Sequence, residues 1–109
     1  MDANVYQRLA MRTANPALDV SQQLLNGALG LCGEAGEVAD TLKKSLFQGH
    51  DLDRDVVMKE LGDVLWYVAQ LCEALGLNMA TVMEANVEKL RRRYPGGFSS
   101  ADSVSRVDE

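Results

Sequence analysis

Proline is nearly absent, with two in 109 residues, Pro16 and Pro95, both toward the ends. The long stretch between them therefore contains no residue that must break a helix. Aromatic residues make up only 6%, and Leu, Ala, Val, Met, Glu and Lys fill the middle, which favours helices over sheets. No apolar run approaches the roughly 20 residues of a membrane span. The start, MDANVYQRLAMRTAN, lacks the charged region and apolar stretch of a secretory signal. A cytoplasmic protein with no membrane association is expected. Positive charge is not in excess either. The net charge is −5, and clustered cations, which a nucleic-acid backbone demands, are not the dominant pattern. A nucleic-acid polymer is not an expected partner. A small nucleotide remains open, because a bound divalent cation reverses the local field.

Cysteine and histidine are as sparse. Cys32 and Cys72 sit inside helical patterns and are expected as small buried hydrophobes, not as a disulfide. The one histidine, His50, falls in an expected turn. A di-iron bundle needs Glu-x-x-His pairs, so it is set aside.

What remains is a chain long enough for one domain with a core. Four helices are expected. The first covers about Val5 to Ala14 and stops before Asn15-Pro16. The second starts at an N-cap, Asp19 or Ser21, and runs to about Phe47. The third starts near Asp51 or Asp53 and ends at Leu75-Gly76; the fourth runs from Asn78 to Arg93-Tyr94. Long helices with short turns predict an all-α, antiparallel helical bundle of about four helices per chain. Residues 1–98 are expected to form the domain, and 99–109 a flexible C-terminal tail.

The third helix carries a seam at Val57, Glu60, Val64, Tyr67 and Leu71, and the second a stripe at Leu24, Ala28, Leu31, Ala35, Val38 and Leu42. Glu60 stands where the seam calls for an apolar side chain, with Asp63 three residues on. On the second helix Glu34 and Glu37 repeat the spacing, and Glu34 flanks the stripe. In an antiparallel hairpin turning near Gly49, Glu37 and Glu60 are nearly equidistant from the turn, as are Glu34 and Asp63. The two acidic pairs therefore meet at one level. Four carboxylates sharing a partly buried site need a counter-charge. All-oxygen ligation selects Mg2+ first and Mn2+ as its substitute. Gly36 and Gly62 each lie beside a candidate ligand, where close helix packing or room for a substrate would offset a helix-interior cost of roughly 1 kcal/mol.

Arg91 and Asp63 are equidistant from Leu77, so a fourth helix antiparallel to the third brings its cations to the acidic level. Asn86, Lys89 and Arg93 share one face, suited to phosphate oxygens. Cations in a last turn also favour the helix dipole, so solvation is the competing reading. Arg91 and Arg92 are expected to face water.

The segments GLCGEAGEVADTLKK, KELGDVLWYVAQLCEALG and NVEKLRRRYPGGF together resemble the MazG-like branch of the all-α nucleoside triphosphate pyrophosphohydrolases, over about Ser21 to Phe98. The resemblance implies Mg2+-dependent hydrolysis of a nucleoside triphosphate (NTP or dNTP) to the monophosphate and pyrophosphate. It implies Glu34, Glu37, Glu60 and Asp63 as magnesium ligands, and Asn86, Lys89 and Arg93 as phosphate contacts. It also implies a homodimer or homotetramer. Trp66, Tyr67 and Tyr94 fall in matching segments; core packing is their expected role, with base contact as the alternative. Many relatives carry a second glutamate directly before the first ligand, where it helps deprotonate water. Gly33 stands there in this chain, so the general base is expected to be Glu37 or Glu34. Two alternatives share the fold: an enzyme acting on phosphoribosyl-ATP, and an inactive helical interaction module.

Overall fold

The computed structural model describes residues 1–106. Its helices are α1 (Ala3–Ala10), α2 (Val20–Phe47), α3 (Arg54–Ala74), α4 (Met79–Arg93) and a short α5 (Ser100–Val104), and no strand forms among the described residues. Each long helix starts on a side chain that satisfies its free amides. Asp19 and Gln22 form a capping box on α2: the Asp19 carboxylate accepts from the Gln22 amide at 2.8 Å, and the Gln22 side chain accepts from the Asp19 amide at 3.0 Å. Asp53 caps α3, and Asn78 caps α4. Gly76 ends the α3 region with φ at 68°, which lets the Leu77 amide return to the Cys72 carbonyl at 2.8 Å.

Expectations for the first helix and for the cysteines are corrected. The first helix starts earlier than Val5, because Asp2 accepts from the Val5 amide at 2.8 Å. It tightens to a 3-10 turn over Met11–Thr13 before Asn15-Pro16. Cys72 is buried, but Cys32 is exposed, on the outward side of α2. Within the segment expected as a C-terminal tail, Ser99 caps α5; positions 107–109 lie outside the described residues.

The most extensive packing is α2 against α3, an antiparallel hairpin. Thr41 bonds Glu60, Asn26 bonds Gln70, and Gly30 lies under the Tyr67 ring. This register sets Glu34 opposite Asp63. The α3 seam of Val57, Glu60, Val64, Tyr67 and Leu71 is half-buried, as expected. The α2 seam is rotated from its expected place. Leu24, Gly27, Leu31, Glu34, Val38 and Thr41 face inward, while Ala28, Ala35 and Leu42 are exposed. The reason lies in two glycines. A Cβ at Gly30 would come within 2.2 Å of the Tyr67 ring, and one at Gly27 within 2.8 Å of Leu71. Both residues let α3 side chains reach the α2 backbone, so the inward face follows the glycines. Glu34 thus lies within a seam, like Glu60, and not beside one.

The buried apolar core is Ala10, Ala69, Cys72 and Met79, where α1, the end of α3 and the start of α4 meet. Gln7 is buried with them. Its amide nitrogen donates to Glu73 at 2.9 Å and to the Leu77 carbonyl at 3.0 Å, and its oxygen accepts from the Met79 amide at 2.7 Å. Asn4 accepts from the Ala80 amide at 3.1 Å. These bonds grip the first turn of α4 and direct it toward α1. The expected pairing of α4 along α3 does not form: the two touch sparsely, and 81–88 are exposed throughout. Equal distance from the Leu77 turn therefore does not become equal height within one chain.

The result is an open molecule. Its radius of gyration is 16.9 Å, against about 13 Å for a compact domain of this length. Leu29, Leu46 and Phe47 of α2, Met58, Leu61 and Leu65 of α3, and Met83 and Val87 of α4 remain exposed.

Candidate active site

The acids gather on the α2–α3 hairpin. Glu34 and Glu60 are half-buried in the two facing seams, while Glu37 and Asp63 are exposed beside them. One oxygen of Glu60 accepts from the Thr41 hydroxyl at 2.8 Å. Its other oxygen, Oε2, is buried and has no hydrogen-bond partner. A desolvated carboxylate oxygen without a partner is costly. Partial burial first, and then the charges of Asp63, Glu37 and Glu60, push the Glu34 carboxyl above its ordinary range. The charges acting on Glu34 are thus all of its own sign. Asp40, one turn beyond Glu37, shows the contrast. Lys44 at 2.8 Å and Lys43 at 3.3 Å neutralise it, and their hydrogen bonds hold its carboxyl below the ordinary range.

Among the described residues no three acidic, cysteine or histidine side chains close into a ready-made metal cage. Two of the acids, Glu34 and Asp63, border an open cleft of about 390 Å³, lined also by Thr13, Trp66 and Tyr67. The donor set still fits a hard cation: all oxygen, mutually repelling, with one buried oxygen orphaned. Gly33, Gly36 and Gly62 do not line this cleft. A Cβ at Gly33, Gly36 or Gly62 would meet nothing within 4 Å. Close helix packing is therefore the role of Gly27 and Gly30, and open space is what surrounds Gly36 and Gly62 in one chain.

The structure brings the four acids into one region and leaves the cationic row apart from it. α4 contributes no residue to the cleft lining. Asn86 is exposed, Lys89 and Arg93 are half-buried, and Arg91 and Arg92 are exposed. Arg91 pairs with Glu88 at 3.4 Å. Tyr94 packs on Phe98, with ring centroids 5.6 Å apart.

Sequence reasoning missed three residues here. Thr41 continues the α2 seam three residues beyond Val38, and that spacing was readable. Thr13 and Tyr6 come from the N-terminal segment, far away in sequence, and no local pattern marks them. The Tyr6 hydroxyl lies 3.5 Å from the Gly62 carbonyl; burial first, and then the Asp63 charge, raise its pKa. Among the described residues no helix is long and apolar enough to cross a membrane.

Comparison with known proteins bears on this acidic hairpin. Gene 37 protein of Mycobacterium phage L5 is 39% identical over 114 residues, an alignment that covers 97% of this chain and 100% of the relative. No solved structure matches. The family model for the MazG nucleotide pyrophosphohydrolase domain matches residues 22–98, a span that begins in the first turn of α2, takes in both acidic pairs and the α4 cations, and ends at Phe98. The chain, with its paired acids on facing helices, belongs to the MazG nucleotide pyrophosphohydrolase domain family.

Proposed function

We propose that this protein hydrolyses a nucleoside triphosphate, NTP or dNTP, between the α and β phosphates, with Glu34, Glu37, Glu60 and Asp63 holding Mg2+. The observation that carries this reading is the orphaned, buried oxygen of Glu60 in a seam opposite a second acid, within a family of nucleotide pyrophosphohydrolases. A bound magnesium ion supplies charge neutralisation and polarises the phosphate; Mn2+ offers similar oxygen chemistry. The residues do the rest. Thr41 fixes one face of the Glu60 carboxylate. Water attacks the α-phosphorus, the bond from that phosphorus to the bridging oxygen breaks, and pyrophosphate leaves with the electron pair. The proton lost by water passes to Glu34 or Glu37, since Gly33 offers no carboxylate.

The test is a panel of common NTPs and dNTPs, with phosphoribosyl-ATP included, in the presence of magnesium. Monophosphate, pyrophosphate and orthophosphate are read separately. Equal monophosphate and pyrophosphate with no orthophosphate is the expected product pattern. Saturating magnesium is expected to raise the melting temperature, because an ion held only by the folded state stabilises it by mass action. No turnover of any triphosphate together with no thermal shift would sink the reading.

The apolar surface left on α2, α3 and α4 calls for a partner of similar character. We expect a two-fold homodimer, alone or within a tetramer. Assembly also places α4 of one copy where it can meet the acidic hairpin of another, so Asn86, Lys89 and Arg93 hold phosphate across the interface. Light scattering at micromolar concentration is expected to give at least twice the chain mass; a monomer there contradicts the assembly.

A further inference from the structure

A threonine hydroxyl inside a helix ordinarily bonds within its own segment. The chain has three threonines, and two follow that habit. Thr13 donates to the Ala10 carbonyl at 3.0 Å, and Thr81 to the Asn78 side chain at 2.8 Å, each three residues back. Thr41 does not. Its hydroxyl leaves α2 and donates to Glu60 Oε1 on α3 at 2.8 Å. The hairpin offers a comparison near its other end, where the Asn26 amide donates to the Gln70 side-chain oxygen, also at 2.8 Å. That bond joins two neutral groups. The Thr41 bond is spent on a carboxylate, and it engages one oxygen while Oε2 stays buried without a partner. The Glu60 charge is among those that act on Glu34, so this carboxylate belongs electrostatically to the acidic group.

We propose that Thr41 is a positioning residue for the cation: it holds Glu60 as a one-oxygen ligand, presented through Oε2, and thereby favours Mg2+ over Ca2+. The inference rests on the hydrolase reading and adds to it the residue that selects the ion. Two physical consequences follow from the bond. A glutamate side chain turns about several bonds, and ordering them opposes binding. Thr41, whose β-branch restricts its own rotamers, does that ordering before a cation arrives. The second consequence concerns the size of the ion. Ca2+ takes roughly six to eight oxygens and readily accepts both oxygens of one carboxylate, whereas Mg2+ demands a small, near-octahedral shell. With Oε1 committed to Thr41, a two-oxygen bite at Glu60 must compete with that bond. Removing a hydrogen-bond partner of a metal-ligating side chain costs about 10- to 100-fold in metal affinity or activity.

The test titrates the full-length protein with magnesium chloride and, separately, with calcium chloride, with calorimetry as the readout, in wild type, Thr41→Val, Thr41→Ser and Asn26→Ala. Thr41→Val keeps the shape and deletes the hydroxyl. It is expected to weaken Mg2+ binding about ten-fold or more and Ca2+ binding less, so that the preference for magnesium narrows. Thr41→Ser restores the donor and is expected to bind both ions within about two-fold of wild type. This variant keeps the proposal open to refutation even if Thr41→Val folds poorly. Asn26→Ala breaks the other bond across the hairpin, about two helical turns from Glu34. It is expected to lower the melting temperature and leave both cation affinities unchanged, which separates positioning from mere loss of a bond between helices. Wild-type Mg2+ affinity in Thr41→Val, equal loss in Thr41→Ser and Thr41→Val, or equal weakening of the two ions would each overturn the role of Thr41. The hydrolase reading survives any of these, provided that wild type binds magnesium and turns over a triphosphate. If wild type takes up neither cation and hydrolyses nothing, both readings fall together.

Discussion

Glu60→Gln is expected to lose most turnover, a hundred-fold or more on the order of a lost charged ligand, while the metal-free protein melts no lower than wild type. The two halves of this result come from one local arrangement. Glu60 lies in the α3 seam with one oxygen bonded to Thr41 at 2.8 Å and the other buried without a partner. The glutamine side-chain oxygen still accepts from Thr41, so the bond between helices survives. What disappears is a charge that is partly desolvated and that presses on Glu34. Removing it relieves repulsion in the metal-free fold, which offsets the cost of a buried amide nitrogen in place of Oε2. With magnesium the balance reverses, because the ion loses an anionic ligand; the thermal shift seen with wild type should shrink. Turnover with magnesium and melting curves with and without it check both halves. Near-normal turnover would mean that Glu60 is not a ligand.

Much of this site was legible because it obeys local rules. The caps Asp19, Asp53 and Asn78 announce three helix starts, and Gly76 announces an end. An acid in an apolar seam exposed Glu60, and distance from the Gly49 turn placed the two acidic pairs at one level, which the Glu34–Asp63 opposition supports. Glu34 was placed beside its seam and not in it, because glycine carries no hydrophobic signal: Gly27 and Gly30 mark the inward face of α2 by contact alone. The α4 direction was not legible either. It depends on Asn4 and Gln7, more than seventy residues from the backbone they grip. Thr13 reaches the cleft, and Tyr6 the Gly62 carbonyl, likewise from far away in sequence. Local periodicity finds faces within a helix; it does not find the side chains that steer one helix away from another.

That steering shapes the remaining prediction. Lys89→Ala and Arg93→Ala are each expected to lower kcat/KM about ten-fold or more, since a charge-assisted hydrogen bond contributes about 1.5–3 kcal/mol. Arg91→Ala and Arg92→Ala are expected to do much less. All four substitutions remove one positive charge from the last turns of α4, so a diffuse field would be weakened alike by each. Direction on the helix separates them. Lys89 and Arg93 continue the row of Asn86 and are half-buried, whereas Arg91 and Arg92 are exposed and Arg91 already pairs with Glu88. The four variants are compared at one ionic strength, after equal melting temperatures are confirmed, because Arg93 also has interactions of its own. Equal losses across the set would leave only a diffuse field and withdraw the phosphate contacts. Since α4 stands away from α3 in its own chain, the proposed assembly has the row reach an acidic cleft across an interface. Mixing Glu60→Gln chains with Arg93→Ala chains then creates some sites with an intact acid set from one copy and an intact cation row from the other. Recovery of activity in the mixture, absent from either variant alone, is the expected outcome; no recovery after verified subunit exchange would place the cations and acids of one site on the same chain.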